Sequence, residues 1–161
     1  MVAAVLFAVT FGITASGAEI IDRILAVVDG AIIMQSDVTM AVRLGLVASA
    51  SAPDPITVPL EALIERRLIL EEVDRYAPPD PPDAQVDRHL DDIRARAGAR
   101  FDTILAESGI SVDQLRRHVR DDLRMEAYLQ QRFGTLQPSA IRDWIAGLRR
   151  RANVNVLPRA Q

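Results

Sequence analysis

The sequence predicts a mainly helical domain with a small antiparallel sheet, formed by an N-terminal hairpin and a C-terminal strand. Two apolar, β-branched runs, Ile21–Val28 and Ala31–Met34, flank Asp29-Gly30. This pair favours a type I′ turn, because both central residues of that turn need a positive φ. In Asn153–Leu157 valine alternates with asparagine, which is typical of a strand with one solvated face. So short a strand is not stable alone, and we expect it to pair with the hairpin.

A first helix is predicted directly after the hairpin. Ser36 beside Asp37 is typical of a helix N-cap whose neighbouring charge complements the helix dipole. The apolar residues of Asp37–Ala48 have helical spacing, and the small residues and prolines of Ala48–Pro55 predict a loop.

The range Val58–Tyr76 predicts the central core helix, because its apolar residues cover more than half of the helix circumference. We expect an i,i+4 ion pair between Glu71 and Arg75 on this helix. The prolines of Ala77–Pro82 end it. Further helices are predicted at Pro81–Ala97 with Asp80 as its cap, at Phe101–Ser108, at Val112–Phe133 after a capping box of Ser111 and Gln114, and at Pro138–Arg151.

Composition excludes several classes of function. The 161 residues support one domain, and a net charge of −3 argues against a nucleic-acid binder. The chain contains no cysteine, which excludes disulfides and thiolate chemistry. Neither His89 nor His118 has a second histidine three or four residues away, so we expect both on the solvated surface. We expect the adjacent pairs Asp91-Asp92 and Asp121-Asp122 to form solvated faces, and no metal site or cofactor is predicted.

The first eighteen residues predict export. Val2–Ile13 is apolar, and Ser16-Gly17-Ala18 places small residues before a cut at Glu19. The interpretation is a signal peptide at residues 1–18 and a mature domain at residues 19–161. The alternatives are an uncleaved membrane anchor and a buried N-terminal segment, since no Lys or Arg precedes the apolar run.

A resemblance to a known family starts in the hairpin. Asp22–Asp37 reads DRILAVVDGAIIMQSD. This run resembles the N-terminal core of the SurA-like periplasmic chaperones. Leu63–Glu72 is similar to the family's second helix, and Trp144–Val156 to its closing helix and strand. The resemblance covers most of Glu19–Leu157.

The resemblance implies an ATP-independent periplasmic chaperone that holds unfolded outer-membrane proteins. SurA-like proteins carry parvulin-type isomerase domains before the closing helix. Here only Thr135–Gln137 separate Gly134 from the last predicted helix, so we expect no isomerase activity. The rival interpretations are an isomerase-related enzyme and a dedicated envelope assembly partner. We expect no nucleic-acid partner, and membrane contact only with an uncleaved N-terminal segment.

Two apolar rows are the candidate client-binding residues. The first helix and the long helix carry more apolar residues than a single core-facing side needs. We expect the two rows to line one open groove. The alternative is that they are buried as ordinary core. We also expect that replacing Leu44 and Leu129 with serine weakens client binding while the melting temperature is nearly unchanged. The rows are Met40, Leu44 and Val47 on the first helix, and Met125, Leu129 and Phe133 on the long helix.

Overall fold

Helices make up most of the computed structural model, which describes residues 22–48, 55–134 and 138–158. The predicted signal peptide and most of the predicted Ala48–Pro55 loop lie outside these residues. None of the described helices is long and apolar enough to cross a membrane.

The sheet has the predicted composition. Strands β1 (Ile24–Val28) and β2 (Ala31–Met34) form an antiparallel hairpin. Asp29 and Gly30 have φ values of 46° and 88°, as a type I′ turn requires. Strand β3 (Val154–Val156) pairs antiparallel with β1, and the strand order is β2-β1-β3. The predicted fold class is therefore confirmed.

Helix α1 (Gln35–Arg43) begins earlier than predicted, and Ser36 does not cap it. Asp37 lies in the first turn, and its carboxylate accepts a hydrogen bond of 2.8 Å from the backbone N–H of Met34. Ser36 is held from outside the helix by the carboxylate of Asp22, which accepts from its N–H at 3.1 Å and from its hydroxyl. Hydrogen bonds of Asp22, Ser36 and Asp37 thus connect the hairpin to α1.

Helix α1 also ends earlier than predicted, at Arg43. Gly45 has a φ of 67° and donates to the Val42 carbonyl at 3.1 Å, while the Leu46 N–H donates to the Ala41 carbonyl at 2.8 Å. These two bonds form a Schellman motif, which needs a left-handed residue after the helix. The helical spacing up to Ala48 was therefore misleading, and Val47 lies beyond the helix.

The remaining helices follow the prediction closely. One difference is the start of the third, at Asp83 instead of Pro81, because Pro82 disfavours helical geometry in the residue before it. The predicted capping box is present, with a bond of 3.2 Å from the Gln114 N–H to Ser111 Oγ and one of 2.7 Å from the Ser111 N–H to Gln114 Oε1. The helices are α2 (Thr57–Tyr76), α3 (Asp83–Ala97), α4 (Phe101–Ser108), which follows a 3₁₀ turn at Gly98–Arg100, α5 (Val112–Phe133) and α6 (Pro138–Arg151).

Helix α2 is the central core helix, as predicted, and its Ile64 and Val73 are fully buried. The predicted pair of Glu71 with Arg75 is wrong. Arg75 pairs with Glu72 at 2.7 Å, and Glu71 pairs with Arg67 at 3.3 Å.

The described core consists of three hydrophobic clusters. The first cluster joins the sheet, α1, the N-terminal half of α2 and Leu148 of α6. The second cluster joins α1 to α3, α4 and the N-terminal part of α5. The third cluster contains Ile69, Leu70, Val73 and Tyr128, and joins the C-terminal half of α2 to α5. Trp144 of α6 is half-buried between the first and third clusters.

Candidate functional site

The structure does not bring the two predicted apolar rows together as one groove. Met40 and Leu44 are only 6% and 2% exposed, and both belong to the second cluster. Val47 is half-buried against the first cluster. Met125 and Leu129 are half-buried against the third cluster. The prediction of an open groove at Met40 and Leu44 is therefore wrong for this conformation, and the alternative of plain core holds for them.

The physical reason is that α3 and α4 need α1 as a partner. The apolar stripe of α3 is narrow, with Val86, Leu90 and Ile93 as its buried residues. Such a stripe buries too little surface to be stable without further helices around it. Met40 and Leu44 supply part of that surface.

The second row lies beside a cluster of aromatic rings. The described residues contain five aromatic side chains, and four of them gather where α2, α5 and α6 meet. The ring centroids of Tyr76 and Tyr128 are 5.6 Å apart, those of Tyr128 and Trp144 are 6.1 Å apart, and those of Phe133 and Trp144 are 5.5 Å apart. Rings at such distances attract one another.

A cleft of about 280 Å³ opens next to these rings, and its wall includes Tyr76, Pro78, Tyr128, Gln131 and Arg132. The ring of Tyr128 is buried at 5% exposure, whereas Tyr76 is 60% exposed. An apolar ring that is exposed beside a buried one offers surface to a ligand.

Local backbone geometry produces this wall. Ala77 takes a left-handed conformation with a φ of 43°, and its N–H donates to the Val73 carbonyl at 2.8 Å. This turn ends α2 and starts the proline-rich segment, so that Tyr76 and Pro78 both line the cleft. On α5 the four-residue spacing of Leu115, Val119 and Leu123 continues to Ala127, but Ala127 is exposed and Tyr128 is buried instead.

Arg132 is positioned over the aromatic cluster. Its guanidinium carbon lies 5.3 Å from the Trp144 ring centroid and 5.7 Å from that of Phe133. Its Nη1 donates to the Tyr128 hydroxyl at 3.2 Å. Within the described ranges no carboxylate lies at ion-pair distance from Arg132. The cation is thus held by rings and a hydroxyl.

The carboxylates near the α2 side of the cleft are already paired. Arg124, whose side chain is 16% exposed, lies 3.0 Å from Asp74, 3.5 Å from Asp80 and 3.4 Å from Asp121. Burial raises the pKa of Asp121, which opposes the effect of the nearby guanidinium groups. The prediction that Asp121 and Asp122 form a solvated face is wrong, because both are half-buried and ion-paired.

His118 is also placed differently from the prediction. Its side chain is only 17% exposed and lies between α5 and α2, with Nε2 at 3.5 Å from Asp122. Arg66 donates to Asp122 at 2.7 Å and to the His118 carbonyl at 3.1 Å. Burial, with the charge of Arg66, lowers the pKa of His118 to about 4, so the imidazole is neutral at pH 7. His89 is exposed, as predicted.

A second cleft of about 180 Å³ contains His118 in its wall, with Asp37 and Met40 of α1 opposite. Burial raises the pKa of Asp37, against the Met34 hydrogen bond that lowers it. No group of three or more His, Cys, Asp or Glu side chains in the described part of the chain is arranged to hold a metal ion. The observed contacts give His118 a role in the packing of α2 on α5.

Comparison with known proteins adds no assignment. No protein-family model matches the chain, and no curated protein matches it.

The positions of the aromatic residues along the sequence contain information about the cluster that hydrophobic periodicity does not reveal. Aromatic residues are scarce, at 4% of the chain, and Tyr76 and Phe133 are the last residues of α2 and α5. Helix ends that are close in the fold can therefore gather them in one place. Hydrophobic periodicity weights aromatic and aliphatic residues alike, and does not detect this.

Proposed function

We propose that the protein is an ATP-independent chaperone that holds unfolded exported polypeptides, with unfolded outer-membrane proteins as its clients. The observation that supports this most is the aromatic cleft, which presents the exposed ring of Tyr76 beside the buried ring of Tyr128. Half-buried Met125 and Leu129 pack against the third cluster, to which Tyr128 belongs. Flexible methionine and aromatic side chains adapt to different apolar partners. The resemblance of Asp22–Asp37 to the SurA-like core points to the same function.

The proposed mechanism is weak holding without covalent chemistry. A cleft of about 280 Å³ accommodates one or two side chains of a client. Burial of roughly 150 Å² of apolar surface contributes about 4 kcal/mol before the cost of ordering the client. A single site therefore binds weakly and releases quickly. Several apolar segments of one unfolded client, bound in turn, keep that client from aggregating.

The proposed compartment is the periplasm, and Glu19 is proposed as the first residue of the mature protein. The basis is the apolar run that ends in Ser16-Gly17-Ala18. N-terminal sequencing of the protein from its native cell tests this proposal. Recovery of a soluble cytoplasmic form that keeps Met1 would contradict it.

Aggregation of an unfolded β-barrel membrane protein, diluted from denaturant with and without the protein, tests the holding function. We expect suppression without ATP, and a weaker effect for Tyr76→Ser. Val58→Ser is the matched control, because Val58 is 53% exposed near the opposite end of the same helix. Equal activity of both variants would contradict a role for the cleft.

The same preparations separate the proposal from its two rivals. Binding to one dedicated protein, with no effect on unrelated unfolded chains, would favour an assembly partner. A concentration-dependent acceleration of prolyl isomerisation in a model peptide would favour an isomerase. We expect the uncatalysed rate, with a time of tens to hundreds of seconds.

A further inference from the structure

The polar groups on the wall of the aromatic cleft are suited to bind an acceptor. Arg132 has four N–H groups that its bond to the Tyr128 hydroxyl does not use. The Tyr128 oxygen accepts that bond, so its own proton is free to be donated to a ligand. Gln131 adds an amide N–H group to the same wall. A carboxylate accepts hydrogen bonds from all three kinds of donor.

The position of Arg132 is set before any ligand arrives. The guanidinium group contacts the rings of Trp144 and Phe133 and the hydroxyl of Tyr128, while Arg132 stays accessible to solvent. A cation held in one place loses little side-chain freedom when it binds an anion. The acidic residues on the α2 side, Asp74 and Asp80, already pair with Arg124.

The other wall of the cleft is apolar. The exposed ring of Tyr76 and the ring of Pro78 lie there, and the whole space of about 280 Å³ is small. It holds a single large side chain together with a carboxylate, but not several residues of a chain. The ligand that fits this cleft has an apolar group and an anion close together.

In a polypeptide, only the C-terminal residue carries a large apolar side chain and a carboxylate on the same Cα. An internal aspartate or glutamate supplies the anion without the apolar group. We propose that the cleft binds the C-terminal residue of an unfolded client, with the carboxylate on Arg132 and the side chain against Tyr76 and Pro78. This proposal rests on the proposed holding function and names the part of the client that is recognised.

Fluorescence anisotropy with the full-length protein tests the proposal. The probes are three peptides that are labelled at the N-terminus and end in phenylalanine, and the third differs from the other two in one internal residue. The first has a free C-terminal carboxylate, the second a C-terminal amide, and the third an amide with an internal glutamate. We expect the free acid to bind about tenfold more tightly than either amide, as one charge-assisted hydrogen-bonded contact provides.

Variants assign the preference to Arg132. Arg132→Gln should reduce the preference for the free acid to about onefold, while Arg132→Lys should keep a part of it because the charge remains. Arg117→Gln is the matched control, because Arg117 is an exposed arginine on the same helix. We expect this control to bind all three peptides like the wild-type protein.

The outcomes distinguish this proposal from the holding function. Equal binding of acid and amide by the wild-type protein would overturn C-terminal recognition, as would an unchanged preference in Arg132→Gln. If aggregation of the β-barrel client is still suppressed and Tyr76→Ser still weakens that effect, the holding function stands. Tight binding of the glutamate peptide would show recognition of an acidic side chain and would also overturn the proposal. Absence of both peptide binding and client holding would overturn both.

Discussion

Replacement of Leu44 by serine should destabilise the whole domain. Leu44 is 2% exposed and belongs to the second hydrophobic cluster, together with residues of α3, α4 and α5. Truncation of a buried leucine costs about 3–5 kcal/mol, and a buried hydroxyl without a partner adds about 1 kcal/mol or more. The loss is comparable with the total stability of a domain, about 5–15 kcal/mol. We expect the melting temperature to fall by roughly 10–20 °C.

Leu129→Ser is the comparison, because Leu129 is half-buried against the third cluster. Its loss should cost about 1–2 kcal/mol, and should shift the melting temperature by a few degrees. Thermal denaturation followed by circular dichroism measures both variants. If Leu44→Ser melts within a few degrees of the wild-type protein, the serine is in contact with solvent. That result would refute the burial of α1 under α3, α4 and α5, and would restore the open groove.

Two further predictions concern the tail and pH. Deletion of Ala152–Gln161 removes the Asp29 N–H bond of 3.0 Å and the Leu25 carbonyl bond of 2.9 Å to the tail, so β1 loses β3 and becomes an edge strand. We expect aggregation or a large fall in melting temperature. A melting temperature equal to that of the full chain would contradict the pairing of the tail with β1. The pKa of His118 is about 4 in the folded protein, below its ordinary value of 6.5, so between these pH values the unfolded chain binds the proton more readily. The contribution of the neutral imidazole to the free energy of unfolding is therefore complete above pH 6.5 and is lost as the pH falls towards 4. We expect a loss of about 2–3 kcal/mol by pH 4.5. Denaturant titrations at several pH values measure the free energy of unfolding, which should depend less on pH in His118→Gln than in the wild-type protein. An equal pH dependence in the two proteins would contradict the buried neutral imidazole.

Most helix and strand ends could be predicted because they depend on residues close in sequence. The turn at Asp29-Gly30 and the capping box of Ser111 with Gln114 are satisfied by neighbouring backbone groups alone. Gly45 carries the same kind of information, and it ends α1 by a Schellman motif. The helical spacing of the valine and leucine residues around it continues past Arg43 and does not mark the end of the helix.

Burial was predicted less well, because periodicity shows which residues share a face and not what covers that face. Met40 and Leu44 lie on an apolar face that α3, α4 and α5 cover. His118 has polar neighbours in sequence, yet α2 packs against it and supplies Arg66. The hydrogen bonds of Arg66 to His118 and Asp122 join residues 52 and 56 positions apart, and no local pattern contains them.

The cleft lies beside the smallest of the three described hydrophobic clusters. The third cluster contains only four buried residues, Ile69, Leu70, Val73 and Tyr128, and the cleft opens at its edge. The other two clusters carry more buried surface and hold the sheet and the remaining helices. We therefore expect substitutions at exposed positions such as Tyr76 and Arg132 to change binding more than stability, which is the separation that the binding experiments require. Trp144 packs against both the first and third clusters. Its ring centroid also lies 6.1 Å from that of Tyr128 in the cleft wall, so its fluorescence should change when a ligand enters the cleft.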